Sequence, residues 1–426
     1  MGAQESPLVP QKGSVIFVHP DGAGVSAWSA ARLLMAGPDG TINWDRLEHL
    51  GVYRGHMKDA MGATSHGGAT SHAYGVKVVW DSYGMDGTEP LLSLSGKPYS
   101  ILTEAHEAGL ATALVNSGHV AEPGTGVFAA SAPGREVTDS ITLQILESGT
   151  DFILAGGEVL LLPEDVVGRH GYAGFRKDGR NLIELAEERG YEVVYTRDEL
   201  AALPSDTEKV LGVFSPAHTF NDWREEVLRA EELPPYYPTA PSVGEMTQAV
   251  LRFLEASGRR FLLVVEEEGS DNFANNNNAS GTLTALARAD EAIGVALDYV
   301  DRNPETLIIT TADSEAGGLQ VYPLKDPDPT IAEQPLPETT RNGGALDGRD
   351  GTGTLPFMSK PDRAGKEWPF GVAWAAFDDV LGGIVVRAHG LNAEMLPSSA
   401  DNTDVYRMMY ATLFGVWLGA EGEGGG

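Results

Sequence analysis

Apolar residues come in short continuous runs along this chain, at 14–18, 111–115, 261–265 and 306–311, and each run stops abruptly at polar or acidic residues. Runs of strand length without polar alternation predict strands buried on both faces, the condition of a parallel sheet covered by helices. A different spacing takes over downstream: Leu283, Leu286, Ile293, Leu297 and Val300 recur at helical intervals and predict one long helix. Residues 181–190 read as an amphipathic helix, 191–195 as strand-like, and regular pattern returns at 370–380, 384–388 and a last helix over 401–417. Between 322 and 369 Pro, Gly, Asp and Arg crowd together without period, so this stretch is expected to run over the core as an excursion that covers a site or makes dimer contacts. The fold expected is α/β: a three-layer α/β/α sandwich with a mostly parallel central sheet. One domain should span 14–419, with 322–369 as a cap and a disordered Gly/Glu tail at 420–426.

The chemistry sits at strand ends. Asp21 follows the first run in a His19-Pro20-Asp21-Gly22 break, and Asp313, Ser314 and a glycine turn follow the run at 306–311. Residues 116–126 read as the loop after 111–115. The richest end is 266–278, an acidic loop with Glu266, Glu268, Asp271 and an asparagine run from Asn275, which offers only oxygen and amide ligands. Open α/β sheets place their sites at the carboxyl ends of strands, and oxygen donors suit hard cations. Taken alone, 266–278 reads equally well as a solvated surface loop. Residues 62–77 are rich in small side chains that let a helix or loop approach a ligand closely, and a doubled Thr-Ser-His leaves Ser65 and Ser71 as candidate nucleophiles. His66 and His72 are candidate bases or ligands, set against the commoner role of satisfying a hydrogen bond. Arg135 is the side chain best shaped for two phosphate oxygens at once.

Composition narrows the partners. With 61 acidic and 30 basic residues the formal charge is −31, which excludes nucleic acid and anionic membranes as natural partners. It favours divalent cations or high salt as companions, and salt adaptation alone would give the same excess. The absence of cysteine removes disulfides, thiolate metal sites and cysteine nucleophiles. The start, 1–7, lacks a signal-peptide pattern and no uncharged run reaches spanning length, so the expectation is a periplasmic or secreted protein with its leader removed, or a cytoplasmic one.

Together, in this order, the loops resemble the alkaline phosphatase family along nearly the whole of 14–419. Asp21 matches the family's first metal aspartate in an Asp-Gly-x-Gly turn. Ser65 lies twelve residues before Lys77 of a Gly-Val-Lys element, the place of the family's nucleophile, with Thr64 where aspartate is usual; this sets Ser71 aside. Thr125 resembles the hydroxyl ligand of the magnesium site. Arg135, allowing one deletion, resembles the phosphate-binding arginine, and Glu122 falls near a position of varied identity and joins Ser65 and Arg135 as a substrate-binding candidate. The motif Val-Glu-Gly-x-x-Asp-x-x-x-His falls without a gap on 265–275, making Glu266 the third-site carboxylate, with Glu268 as the alternative, and Asp271 a first-site ligand. Thr-Ala-Asp-His-Glu-Thr-Gly-Gly falls on 311–318, which keeps Asp313 and puts Ser314 in place of histidine. The last motif, Trp, four residues, then His-Thr-Gly, falls on 374–381, and its histidine has become Asp379. With Asn275 at the remaining position, the three usual metal histidines are absent.

The resemblance therefore implies three oxygen-lined sites: Asp271, Asn275 and Asp379; Asp21, Asp313, Ser314 and the Ser65 oxygen; and Asp21, Thr125 and Glu266. Such donors favour Mg2+ or Ca2+ and disfavour Zn2+. Each replacement keeps a ligating oxygen, which speaks for re-tuned sites over decayed ones. The implied activity is metal-dependent hydrolysis of small phosphate monoesters through a phosphoserine at Ser65, with an alkaline optimum because hard cations lower a bound hydroxyl's pKa less than zinc does. The alternatives are a phosphodiesterase of the same superfamily, or a cation-loaded oxyanion-binding protein without turnover. A sulfatase is disfavoured because Ser65 is followed by His66-Gly67-Gly68-Ala69 and lacks the Cys/Ser-x-Pro-x-Arg context. A homodimer is compatible with this reading, and the roles of His66, His72 and His119 stay open.

Overall fold

The computed structural model describes residues 9–324 and 330–419; the expected tail at 420–426 and the start at 1–7 lie outside the described residues. Ten strands make the central sheet: β1 (Ser14–Pro20), β2 (His49–Arg54), β3 (Ala111–His119), β4 (Phe152–Gly156), β5 (Glu192–Val194), β6 (Val210–Val213), β7 (Phe261–Glu267), β8 (Thr306–Thr310), β9 (Val385–Gly390) and β10 (Ser399–Asp401). Their order is β10-β2-β9-β8-β1-β7-β3-β4-β6-β5. Among the described residues only β9 runs against its neighbours, β8 and β2, and the other pairings are parallel. Helices Val243–Ser257 and Ala279–Arg302 pack together over β1, β3 and β7, while Ile101–Glu107, Ser65–Tyr74 and Asn402–Phe414 form a second packed group on the sheet. This is the mostly parallel, helix-covered sheet that the apolar runs predict. Val15, Ile16, Phe17 and Val18 in β1 and Leu262 to Val265 in β7 are completely buried, and full burial of such side chains contributes roughly 1.5–3 kcal/mol each.

Two expected loops are largely regular structure. Asn116 to His119 extend β3, and Glu266 and Glu267 extend β7, because the parallel ladder continues past the apolar run. The remainder of 266–278 is a short helix, Gly269–Asn275, and a turn into the long helix Ala279–Arg302. The asparagine run supplies that turn. Asn277 adopts φ 52°, a left-handed conformation that asparagine tolerates well, and the Asn278 side chain caps the long helix by accepting from the Gly281 N–H at 2.6 Å.

The excursion at 322–369, of which 325–329 lie outside the described residues, contributes to a small antiparallel sheet. Its strands, Gln320–Pro323, Leu346–Gly348, Gly351–Thr352, Phe357–Met358 and Pro369–Ala373, are two to five residues long, too short to leave a period in the sequence. The indole of Trp374 donates to Asp347 at 2.6 Å and ties this sheet to the segment that carries Asp379. On the central sheet, register sets His19, Glu266 and Asn116 side by side at the carboxyl ends of β1, β7 and β3.

Candidate active site

Asp21 turns off the end of β1 with its backbone N–H donating to the Glu267 carbonyl at 3.2 Å. The Ser270 hydroxyl bridges the Asp21 and Glu267 carbonyls, both at 2.7 Å. The Asp21 carboxylate is completely buried, yet neither oxygen meets an N–H or O–H. Asp313, just past β8, is in the same condition, and so are one oxygen of Glu266 and one of Glu268. Asp21, Glu266 and Glu268 bring ligand oxygens within 4.8 Å of one another, so the two glutamates that sequence spacing offers as alternatives belong to one cluster. Buried carboxylates without donors are costly unless something positive compensates them.

Short loops hold this cluster closed. The amide of Asn116 donates to both Glu266 and the Thr125 hydroxyl, the latter at 2.8 Å, and the Thr125 backbone N–H also serves Glu266. Gly124 packs so tightly that a Cβ there would lie 1.9 Å from a Glu266 oxygen, which only glycine allows. Burial first, and then the neighbouring carboxylates, hold Glu266, Glu268, Asp271 and Asp313 well above the ordinary carboxylate range.

A second part of the site lies beside Asp313. Asn275 donates to both oxygens of Asp271, at 3.2 and 3.1 Å, and to Asp379 at 3.0 Å, while its own oxygen accepts from the Gly317 N–H at 3.0 Å. The amide expected to be a ligand is therefore turned to hold two carboxylates together, with its oxygen already engaged. The Ser314 hydroxyl is buried beside Asp379.

Ser65 opens the helix Ser65–Tyr74 behind its cap, Thr64, whose hydroxyl accepts from the Gly67 N–H at 3.4 Å and donates to the Trp80 carbonyl at 2.9 Å. The first turn rests on Asp313: a Cβ at Gly68 would come within 2.4 Å of that residue's Cβ. Ser71, in contrast, is fully buried and donates to the Gly67 carbonyl at 3.2 Å. Arg135 donates to Glu122 at 3.1 Å and has Glu268, Asp271 and Asp21 as further anionic neighbours.

The histidines divide by partner. His66 pairs with Asp81, and His72 bonds the Tyr53 hydroxyl at 2.8 Å deep in the core. His119 and His218 both reach one oxygen of Glu122 at 2.9 Å. Burial alone would raise Glu122, but His119 and His218 reverse it and hold its carboxyl well below the usual range. His218 has no signal in the sequence, since it is a lone histidine in a loop brought in by tertiary contact. His19 is the other imidazole that sequence reading passes over: it is fully buried, 3.7 Å from Asp21, 3.9 Å from Asp313 and 4.0 Å from Glu266.

An alkaline phosphatase family model matches residues 12–342. The alkaline phosphatase of Gadus morhua is 26% identical over 336 residues, covering 70% of this chain and 68% of that protein. The crystal structure of Thermus thermophilus alkaline phosphatase superposes with a TM-score of 0.71 at 22% identity, covering 96% of this chain and 92% of that one. A histidine-to-aspartate mutant of the alkaline phosphatase from the Antarctic bacterium TAB5, with Mg bound in its M3 site, gives a TM-score of 0.70 at 18% identity, covering 95% and 99%. At these identities the two solved structures speak to the fold alone.

Proposed function

The chain belongs to the alkaline phosphatase family, a membership that supports phosphatase-type hydrolysis and divalent metal cofactors in general, and on that premise we propose that it hydrolyses small phosphate monoesters with Ser65 as nucleophile. The observation that carries this is the set of buried oxygens on Asp21, Asp313, Glu266 and Glu268 that no N–H or O–H reaches. A divalent cation, bound through these oxygens, is a complement that they fit. Asp21 with Asp313 and Ser314, Asp21 with Glu266, Glu268 and Thr125, and Asp271 with Asp379 are the groups that would hold such ions. Mg2+ or Ca2+ suits the all-oxygen groups. A bound divalent cation would lower the pKa of a hydroxyl beside it and neutralise charge on phosphoryl oxygens.

The chain's own residues do the rest. The Ser65 oxygen attacks phosphorus, a P–O bond to Ser65 forms, the ester P–O bond breaks, and the leaving alcohol takes a proton. Water then attacks the phosphoserine, freeing phosphate and returning the Ser65 hydroxyl. Arg135 holds two phosphoryl oxygens through its planar fork. Glu122, itself fixed by His119 and His218, aims that fork. A hydroxyl nucleophile served by hard cations works best above neutral pH. The described residues of 322–369 would act as a peripheral cap.

The test is phosphate release from an aryl phosphate monoester, with a phosphate diester and a sulfate ester as controls. Monoester turnover well above both controls is expected. Faster turnover of the diester, or tight phosphate binding with no turnover of any ester, would overturn the proposal.

A further inference from the structure

His19 stands inside the carboxylate cluster, yet nothing in the hydrolytic scheme uses it. Its ring is fixed by packing: it stacks on Phe17 with centroids 5.8 Å apart and meets His72 edge-on at 5.6 Å. In this position Nε2 lies 3.7 Å from an Asp21 oxygen and 3.9 Å from an Asp313 oxygen, and Nδ1 lies 4.0 Å from Glu266. These separations are too long for hydrogen bonds. They are the separations of groups that share an ion: donors at about 2.0–2.2 Å from one metal stand roughly 3 to 4 Å apart at bond angles between a right angle and about 130°. Among the described residues, His19 is the one histidine with both ring nitrogens buried and unpartnered, and the oxygens it faces on Asp21, Asp313 and Glu266 are unpartnered too. The nearest other imidazole, His72, has spent its Nε2 on Tyr53 at 2.8 Å.

We propose that His19 is a cation ligand, and that with Asp21 and Asp313 it forms a mixed nitrogen and oxygen site for a first-row transition ion such as Mn2+, Co2+ or Zn2+. This rests on the reading of the carboxylates as cation-holding groups. It changes one consequence of that reading, because the second site gains a nitrogen donor that none of the three substituted positions provides. Imidazole shifts preference away from Ca2+ and toward ions that accept nitrogen. The chain therefore replaces a missing loop histidine with one that rises from the strand beneath.

Pulsed EPR on protein saturated with Mn2+ tests this without using turnover. A directly bound imidazole imposes nitrogen modulation on the Mn2+ echo, and carboxylates do not. Wild type should show that modulation, His72→Gln should keep it, and His19→Gln, shown folded by circular dichroism, should lose it. Binding titrations should agree, with His19→Gln weakening Mn2+ and Zn2+ about tenfold or more and Ca2+ by no more than about twofold. If His19→Gln does not fold, 15N-histidine labelling of wild type and of a His119→Gln/His218→Gln variant decides: the coupling must change from 14N to 15N and must persist without those two imidazoles. No nitrogen coupling in wild type, or coupling that survives His19→Gln, overturns the proposal. Coupling in a protein that releases no phosphate keeps the ligand and removes the activity; phosphate release without coupling does the reverse.

Discussion

Two serines six residues apart make the sharpest contrast at the scale of single residues. Ser65, itself buried, opens a helix whose first turn rests on Asp313 through Gly68, whereas the Ser71 hydroxyl is already bonded to the Gly67 carbonyl. Ser65→Ala should therefore abolish phosphate release, and Ser71→Ala should retain most of it while losing about 1 kcal/mol of stability; a dead Ser71→Ala with an active Ser65→Ala would reverse the assignment. Arg135→Ala should raise KM and weaken inhibition by free phosphate, at a cost of about 2–3 kcal/mol in transition-state binding. Unchanged phosphate inhibition would remove Arg135 from the substrate. Residues of this kind were candidates in the sequence because their type and spacing are tied to one chemistry. His19 was not, since a histidine ending an apolar strand has many uses and only its neighbours across β7 and β8 reveal which. His218 and the turned amide of Asn275 were illegible for a related reason: their partners come from distant parts of the chain.

Among elements, the helix Ala279–Arg302 begins where the asparagine run ends, and its start decides where the turn that follows Asp271 and Asn275 lies. Asn278 both caps this helix and donates to the Trp223 carbonyl at 2.7 Å. Asn278→Ala should lower stability by about 1 to 2 kcal/mol, read as a lower denaturant midpoint with unchanged slope. An unchanged midpoint would mean that the cap carries nothing. Apolar runs located the interior of β1, β3, β7 and β8, and the helical spacing located the long helix. The strand ends were missed where polar residues continued the ladder, as Asn116 and Glu266 do, because parallel pairing depends on backbone register and not on apolar side chains. The small sheet formed around Pro369–Ala373 escaped for lack of length.

For the molecule as a whole, the site is a concentration of carboxyl groups inside a chain of net charge −31. Folding raises the pKa values of Glu266, Glu268, Asp271 and Asp313, by burial first and by one another second. A carboxyl raised on folding contributes stability that is fully present below its unfolded pKa of about 4 and is lost as pH climbs through the raised folded value. Glu122 has the opposite sign, since its depressed value means that its stabilising pairs fail as pH falls. These four, together with Asp379 and Glu267, which are raised as well, outnumber it, so cation-free protein should lose thermal stability from mildly acidic toward alkaline pH. Mg2+ should restore it by about 2.7 kcal/mol at a hundred times its Kd. A melting temperature in EDTA that rises over the same range would contradict this account of the cluster.

The most direct measurement strips the protein of divalent ions with a chelator and follows phosphate release from an aryl monoester as Mg2+, Ca2+, Mn2+ or Zn2+ is returned singly. The account predicts no release from stripped protein and recovery with at least one of these ions, in wild type but not in Ser65→Ala. Full release from protein shown by elemental analysis to hold no divalent metal would contradict it.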